Sequence, residues 1–516
     1  MTSEETKFLN VIAKESEKIK NLPKDLKLFN LKEATNTTIF KLSKYKDYEN
    51  NQLEELKTFM VFGRLIQKRI MGKNAIFATL LGFSKVDEDL HSKIQIYLNK
   101  KNCSSEDIDL FTKLDLGDII WVEGNLFKTK LNELTIRVTK FKLLSKIYNT
   151  LPDKFHGLKN IELIYRRRYL DLIFNKDSKQ KFYLRNKIIQ YIRSFFINYG
   201  SLEVETPTLQ ELYGGAFAKP FTTFYNVLKT KYFLRIATEI YLKTLIVGNI
   251  HSVFEIGKNF RNEGLSPNHN PEFTAIEYYE ANADLEDMMD RTEQLFIEIK
   301  DKFFKETKYL SNLKPNEEIF IAKDKPWKRI SMVESIFKIT KINFLEIKTF
   351  EEALKLAKEH NINVQKHENS IGHIINLFFE HYVEKTLIQP TFIYDFPAEI
   401  SPLAKLSEKN KHFAQRFELF IDGNEYANAF NELNDPIIQY QKFKNQLVEK
   451  QLGNEEISTI DFNYLQTLTF GLPPTGGLGI GIDRMIMFFT KSQSIRDVIL
   501  FPQLKPLNKH DDKENN

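Results

Sequence analysis

The chain has 516 residues, 42% of them apolar, which is too long for one ordinary core and supplies ample material for two or more globular domains. Its 74 basic and 69 acidic residues leave a formal charge of only +5, so whole-chain charge neither requires nor excludes a nucleic-acid partner. The single cysteine, Cys103, excludes an internal disulfide framework and a cysteine-based zinc cluster, fits a reducing cytosol, and is expected as a surface thiol in the polar segment 100–107.

Residues 1–20 mix acids with lysines and lack the apolar run of a signal peptide, and no later stretch reaches the length of a membrane span, so a cytoplasmic protein without membrane contact is expected. Residues 1–55, with Leu9, Val11, Ile12 and Ile19 at short spacing, read as a helical extension followed by an irregular connector. From 56 to 149 the pattern turns β-rich. Strands are expected at 59–65, 75–81, 93–98, 118–126 and 133–141, with a helix at 107–114. Five strands with a helix before the fourth suit an OB-fold barrel, and a generic β-barrel is the plainer alternative.

Pro152 and Gly157 mark 151–157 as a linker to a second domain, 150–506. A long helix is expected at 178–198, with Leu184, Ile188, Ile192 and Phe196 in one stripe, leading through Gly200 to a strand that ends at Pro207. Further strands at 230–236, 251–256, 273–279, 391–395, 416–421 and 423–428 are interrupted by helices at 284–307, 350–360 and 372–387. That order predicts an α+β domain on an antiparallel sheet. The polar end, 507–516, is expected to be disordered.

Two stretches carry the chemistry. Phe260-Arg261-Asn262-Glu263-Gly264, followed by His269-Asn270-Pro271-Glu272-Phe273-Thr274, puts charged groups in a loop before an apolar strand. An arginine fork takes a phosphate or carboxylate through two parallel bonds, a glutamate accepts from an adenine amino group, and an aromatic stacks on a base. Near the end of the chain, Gly476-Gly477-Leu478-Gly479-Ile480-Gly481-Ile482-Asp483-Arg484 admits close backbone approach and delivers another arginine beside an apolar helix start.

Together these stretches resemble motifs 2 and 3 of the class II aminoacyl-tRNA synthetases. Elsewhere in the chain Glu203-Val204-Glu205-Thr206-Pro207, Arg168-Tyr169-Leu170-Asp171-Leu172-Ile173 and Glu432-Leu433-Asn434-Asp435 are similar to the bacterial lysyl-tRNA synthetases in particular. The resemblance runs from about 58 to about 506. It implies an OB-fold anticodon-binding domain, a class II catalytic domain and a homodimer formed through motif 1, the helix expected at 178–198 with the strand that ends at Pro207. The implied activity is ATP-dependent activation of L-lysine, followed by transfer to tRNA(Lys), with Mg2+ as cofactor.

Residue by residue, the resemblance makes Arg261 and Arg484 the catalytic arginines, on the α-phosphate with the amino acid carboxylate and on the γ-phosphate. Glu263 and Phe273 meet the adenine and His269 the triphosphate end. Glu418 and Glu425, flanking a predicted turn at Asp422-Gly423, share Mg2+ with ATP, because two close carboxylates repel unless a cation lies between them. Gly215 and Glu239 lie near the substrate α-amino group, Glu277, Tyr279 and Glu432 around the ε-ammonium, and Asn428 and Phe430 line the pocket. Surplus acid is what a buried ammonium requires. Phe77, Gln95 and Glu133 correspond to the anticodon readers, an aromatic to stack and two polar groups for base edges.

The sequence departs from the family at Phe217, where a small residue is usual, at Thr244, commonly arginine, at Asn268, often basic, and in the longer segment 82–92, which bears on the register of Gln95. Two other functions compete with lysine ligation: the related aspartate or asparagine ligation, against which the acids at 239, 277 and 432 argue, and a synthetase-derived RNA-binding or regulatory protein without aminoacylation activity.

Overall fold

The computed structural model describes residues 3–72, 75–85, 88–149, 151, 160–307, 321 and 326–506. The expected linker beyond Leu151 and the expected tail at 507–516 lie outside the described residues. The chain divides into two units, Met1–Gln180 and Lys181–Asn516.

In the first unit, β1 (Phe59–Met71), β2 (Ala75–Leu81), β3 (Lys93–Asn99), β4 (Ile119–Lys128) and β5 (Leu134–Ser145) close a barrel in the order β1-β2-β3-β5-β4. Only β3 and β5 pair in parallel among these strands. Two-residue alternation turns Ile76, Ala78 and Leu80, then Ile94, Ile96 and Leu98, inward, where they are buried with Val122, Ile136 and Val138. The helix Ser105–Lys113 starts where the Ser104 hydroxyl accepts from the Asp107 amide at 3.0 Å, and it delivers Ile108 and Phe111 into the same core. This is the five-stranded barrel expected of an OB-fold.

Cys103 corrects an expectation. It is not a surface thiol but 6% exposed, part of the barrel core, with its thiol donating to the Val138 carbonyl at 3.2 Å. The polar neighbours that suggested exposure belong to the turn and to the following helix cap, whereas the cysteine itself faces inward. Burial raises the pKa of the thiol.

In the second unit, the helix Lys176–Asn198 buries Leu184, Ile188, Ile192 and Phe196 in the main core, so the predicted stripe packs against its own sheet. Phe196 lies 4.6 Å from the Tyr278 ring and 5.6 Å from that of Phe254. The strands of this unit are β6 (Leu202–Glu203), β7 (Leu209–Gln210), β8 (Thr222–Tyr225), β9 (Thr230–Leu234), β10 (Ser252–Phe260), β11 (Glu272–Ala281), β12 (Lys328–Ser331), β13 (Thr391–Pro397), β14 (Phe413–Ile421), β15 (Asn424–Asn431) and β16 (Thr475–Gly481). Among the described residues β7, β9 and β8 form a small sheet, and the rest form an eight-stranded sheet ordered β12-β13-β14-β15-β16-β11-β10-β6. Its pairings are antiparallel except at the two edges, β12 with β13 and β10 with β6. The α+β domain with an antiparallel sheet is the expected class.

The glycine-rich run does more than open a helix, because it is β16, an interior strand between β15 and β11. Among the described residues no helix is long and apolar enough to cross a membrane.

Phe111 is fully buried and meets Phe141 edge-on at 5.2 Å. Phe111→Ala is expected to destabilise the barrel by about 3–5 kcal/mol. Urea unfolding followed by Trp121 fluorescence in a Trp327→Phe background reads this directly, and an unshifted midpoint would contradict the assigned core.

Candidate active site

The sheet register builds the site in rows. Glu277 of β11 stands opposite Gly479 of β16, which stands opposite Asn428 of β15, which in turn faces Glu418 of β14. One step along, Tyr279, Gly477, Phe430 and Arg416 form the next row. Leu478 and Ile480, which alternate with these glycines, are buried in the core on the opposite face. The glycines therefore leave a bare lane flanked by two walls, above which lies a cavity of about 510 Å³. The lane must be bare: a Cβ on Gly477 would meet Glu432 Oε1 at 2.0 Å and the Tyr279 ring at 2.6 Å.

This cavity gathers Gly215, Glu239, Arg261, Glu263, His269, Phe273, Glu277, Tyr279, Glu418, Glu425, Asn428, Phe430 and Arg484 on its lining. Phe217 and Asn268 line it too. Thr244 does not; its hydroxyl donates to the Ile240 carbonyl on its own helix at 2.9 Å. Glu432 is also not on the lining. It is 1% exposed and lies behind Gly477 and Tyr279.

One end of the cavity is rich in arginine. The Arg261 guanidinium stacks 5.1 Å from the Phe273 ring, and its buried Nε has no hydrogen-bond partner. Arg484 donates to the Glu425 carbonyl at 2.8 Å, to the Glu425 carboxylate at 3.3 Å and to His269 Nε2 at 3.1 Å. Because an arginine only donates, this contact makes Nε2 the acceptor and leaves Nδ1 to donate to Ser266 Oγ at 2.8 Å. Burial first, then the Arg484 charge, lowers the His269 pKa, consistent with a neutral ring.

The hairpin of β14 and β15 turns at Asp422-Gly423, both with positive φ (51° and 63°), as a two-residue primed turn requires. It carries Glu418 and Glu425 to the same cavity. Burial, with Glu425 adding repulsion, pushes the Glu418 carboxyl up to about 7 even though Arg416 opposes the shift and donates to it at 2.6 Å. Among the described residues no cluster of three or more His, Cys, Asp or Glu side chains with metal-binding geometry occurs. Glu418, beside Arg416, and Glu425, beside Arg484, are nevertheless two carboxylates on one lining, a donor set that suits a hard cation able to complete its shell with other oxygens and water.

The other end is acidic. Glu277 accepts from the Thr238 amide at 3.0 Å and from the Tyr279 hydroxyl at 3.2 Å. Glu239 and Glu432 share Lys243, which donates to Glu239 Oε1 at 2.5 Å and to Glu432 Oε2 at 2.8 Å. Lys243, from the helix Glu239–Val247, is fully buried, with its ammonium 5.3 Å from the Tyr464 ring. Burial works against that ammonium, but the two carboxylates outweigh it and hold the pKa well above the ordinary lysine value. The sequence reading gives this lysine no role. Its position four residues after Glu239 on one helix is the signal that would have paired them.

In the barrel unit, Gln95 donates to Glu133 at 3.0 Å and accepts from Thr135 at 2.8 Å, so these two candidates meet on one outward patch. Phe77 stands opposite Tyr97, ring to ring at 4.7 Å. Tyr97 continues to Phe127 at 5.9 Å, and Arg137 covers the Phe127 ring at 4.6 Å. These last three aromatic and basic residues were missed, although strand alternation puts them on the same side as Phe77.

A family model described as tRNA synthetases class II (D, K and N) matches residues 160–505. The chain is 48% identical over 474 residues to the lysine-tRNA ligase of Mycoplasma capricolum, covering 91% of this chain and 92% of that protein. It is 49% identical over 457 residues to that of Staphylococcus epidermidis (89% and 90% covered) and 48% over 465 residues to that of Bacillus subtilis (90% of each). The chain belongs to the class II tRNA synthetases and, within them, to the lysine-tRNA ligase family.

Proposed function

We propose that this chain joins L-lysine to tRNA(Lys) at the expense of ATP. The lysine carboxylate attacks the α-phosphate in line, pyrophosphate leaves, and a hydroxyl of the tRNA terminal ribose then takes the lysyl group from the adenylate. The observation that carries this reading is one cavity lined by Arg261 and Arg484 toward one end and by Glu239 and Glu277 toward the other, the polarity needed to bind a polyphosphate and an ammonium in line.

Bringing two anions together demands positioned cations more than a nucleophile. Arg261 answers the carboxylate and α-phosphate, and its partnerless Nε is the donor such a ligand would satisfy. Arg484 answers the γ-phosphate, with neutral His269 beside it as a second donor once the ring reorients. Phe273 and Glu263 take the adenine. Glu418 and Glu425 would hold Mg2+, which when bound neutralises phosphate charge. Gly215 and Glu239 receive the α-amino group. Glu277, with Tyr279 and with Glu432 behind it, receives the ε-ammonium, while Asn428 and Phe430 close the walls. An anionic aspartate side chain would be repelled by these carboxylates.

The resemblance supports assigning 56–149 to anticodon binding through Phe77, Gln95 and Glu133, 150–506 to catalysis, and 1–55 to an extension. It also supports a cytoplasmic homodimer. Because the Leu184 to Phe196 stripe is spent on the unit's own core, the dimer contact falls to the apolar residues left exposed nearby, among them Ile197, Tyr199 and Leu202.

ATP–pyrophosphate exchange should proceed with lysine and not with aspartate, asparagine or arginine, and chelation of Mg2+ should abolish it. Exchange with aspartate instead would overturn the assignment of the acidic end. Glu432→Gln is expected to raise KM for lysine at least about tenfold while leaving KM for ATP near the parent value, as loss of one charged partner implies. Sedimentation should give twice the chain mass of 60.7 kDa, and a monomer at micromolar concentration would refute the dimer.

A further inference from the structure

The three carboxylates of the acidic end have their oxygens unequally committed. Each oxygen of Glu277 already accepts one hydrogen bond, from the Thr238 amide or the Tyr279 hydroxyl, and keeps room for a further single one from an ammonium. Glu239 and Glu432 each give one oxygen to the Lys243 ammonium. The oxygens without a partner are single: Glu432 Oε1 is buried and packed against Gly477, and Glu239 Oε2 faces Gly215, where a Cβ would lie 3.7 Å away. None of these three carboxylates has both oxygens without a partner.

That matters because the two natural cationic side chains are recognised differently. A guanidinium is a planar fork that gains most from two parallel bonds to one carboxylate, whereas an ammonium is a compact charge that takes single bonds from several acceptors. An acidic pocket that merely supplied negative charge would welcome both. We propose that Lys243 is a specificity-determining positioning residue: by occupying one oxygen on each of Glu239 and Glu432, it leaves acceptors that suit the point charge of lysine and deny arginine its bidentate partner. This inference rests on the lysine-ligating function proposed above. The site is well placed for the role, since Lys243 is fully buried between the two carboxylates and below the Tyr464 ring, with no freedom to swing away and uncover an oxygen pair.

The test is Lys243→Met in ATP–pyrophosphate exchange, with arginine titrated as an inhibitor of the lysine-dependent reaction. The ratio of the arginine inhibition constant to KM for lysine is expected to fall at least about tenfold, with KM for ATP unchanged. A lysine that merely held the fold together would lower overall activity and leave that ratio alone. Removing one ammonium from among three buried carboxylates endangers folding. The charge-compensated pair Lys243→Met with Glu239→Gln provides the second reading, and any loss of the α-amino contact cancels in the ratio because both amino acids carry that group. A ratio within twofold of the parent in either folded variant would overturn the inference. Absence of lysine-dependent exchange in the parent protein would instead overturn the proposed function on which it rests.

Discussion

Between β11 and β15, the side of β16 that faces the cavity carries only the hydrogen atoms of Gly477 and Gly479, while Leu478 and Ile480 on the other side tie the strand into the core. An interior strand is an unfavourable place for glycine, which packs nothing and gives up the most conformational freedom on folding. The neighbouring strands offset this with continuous ladders on both edges. Tyr279 and Glu277 on one wall and Phe430 and Asn428 on the other stand at a separation fixed by strand spacing, and the floor between them admits a ligand where any side chain would block it.

The lane also organises the charge. Arginines reach the cavity from the loop after β10 and from the helix that follows β16, and the acids come from β11, from the helix Glu239–Val247 and from the end of β15. Arg261 and Arg484 therefore stand apart from Glu239 and Glu277, while the acids nearest the arginines, Glu418 and Glu425, are held by Arg416 and Arg484. Where opposite charges do meet inside the protein, as at Lys243 or between Arg416 and Glu418, the contact fixes an acceptor in place. Buried pairs of this kind gain little net stability, and geometry is the better account of their presence.

Much of this was legible from the chain alone. The barrel strands alternate cleanly, the stripe from Leu184 to Phe196 follows helical spacing, and Asp422-Gly423 announces its turn through residues that accept positive φ. The charged loop between Phe260 and Phe273 reads as a site because cations, an acid and an aromatic lie close together in sequence. The pieces that escaped share one physical reason: their meaning is set by distant partners. Glycine has low strand propensity, so β16 reads as a loop until β11 and β15 flank it. Lys243 resembles any helical lysine until Glu432, far along the chain, arrives beside it. Cys103 sits among polar neighbours, and only the closure of the barrel turns it inward. Tyr97, Phe127 and Arg137 become a continuous surface only when three strands are laid side by side.

The burial of Cys103 gives the barrel an internal clock. The chain's only thiol is shielded by the packed strands and donates to the Val138 carbonyl, so a thiol-directed reagent must wait for the strands to part. Its rate of modification therefore reports how often the native barrel opens, with no label or engineered cysteine, and a molecule of tRNA bound across the outer face would register as a slowing of that rate.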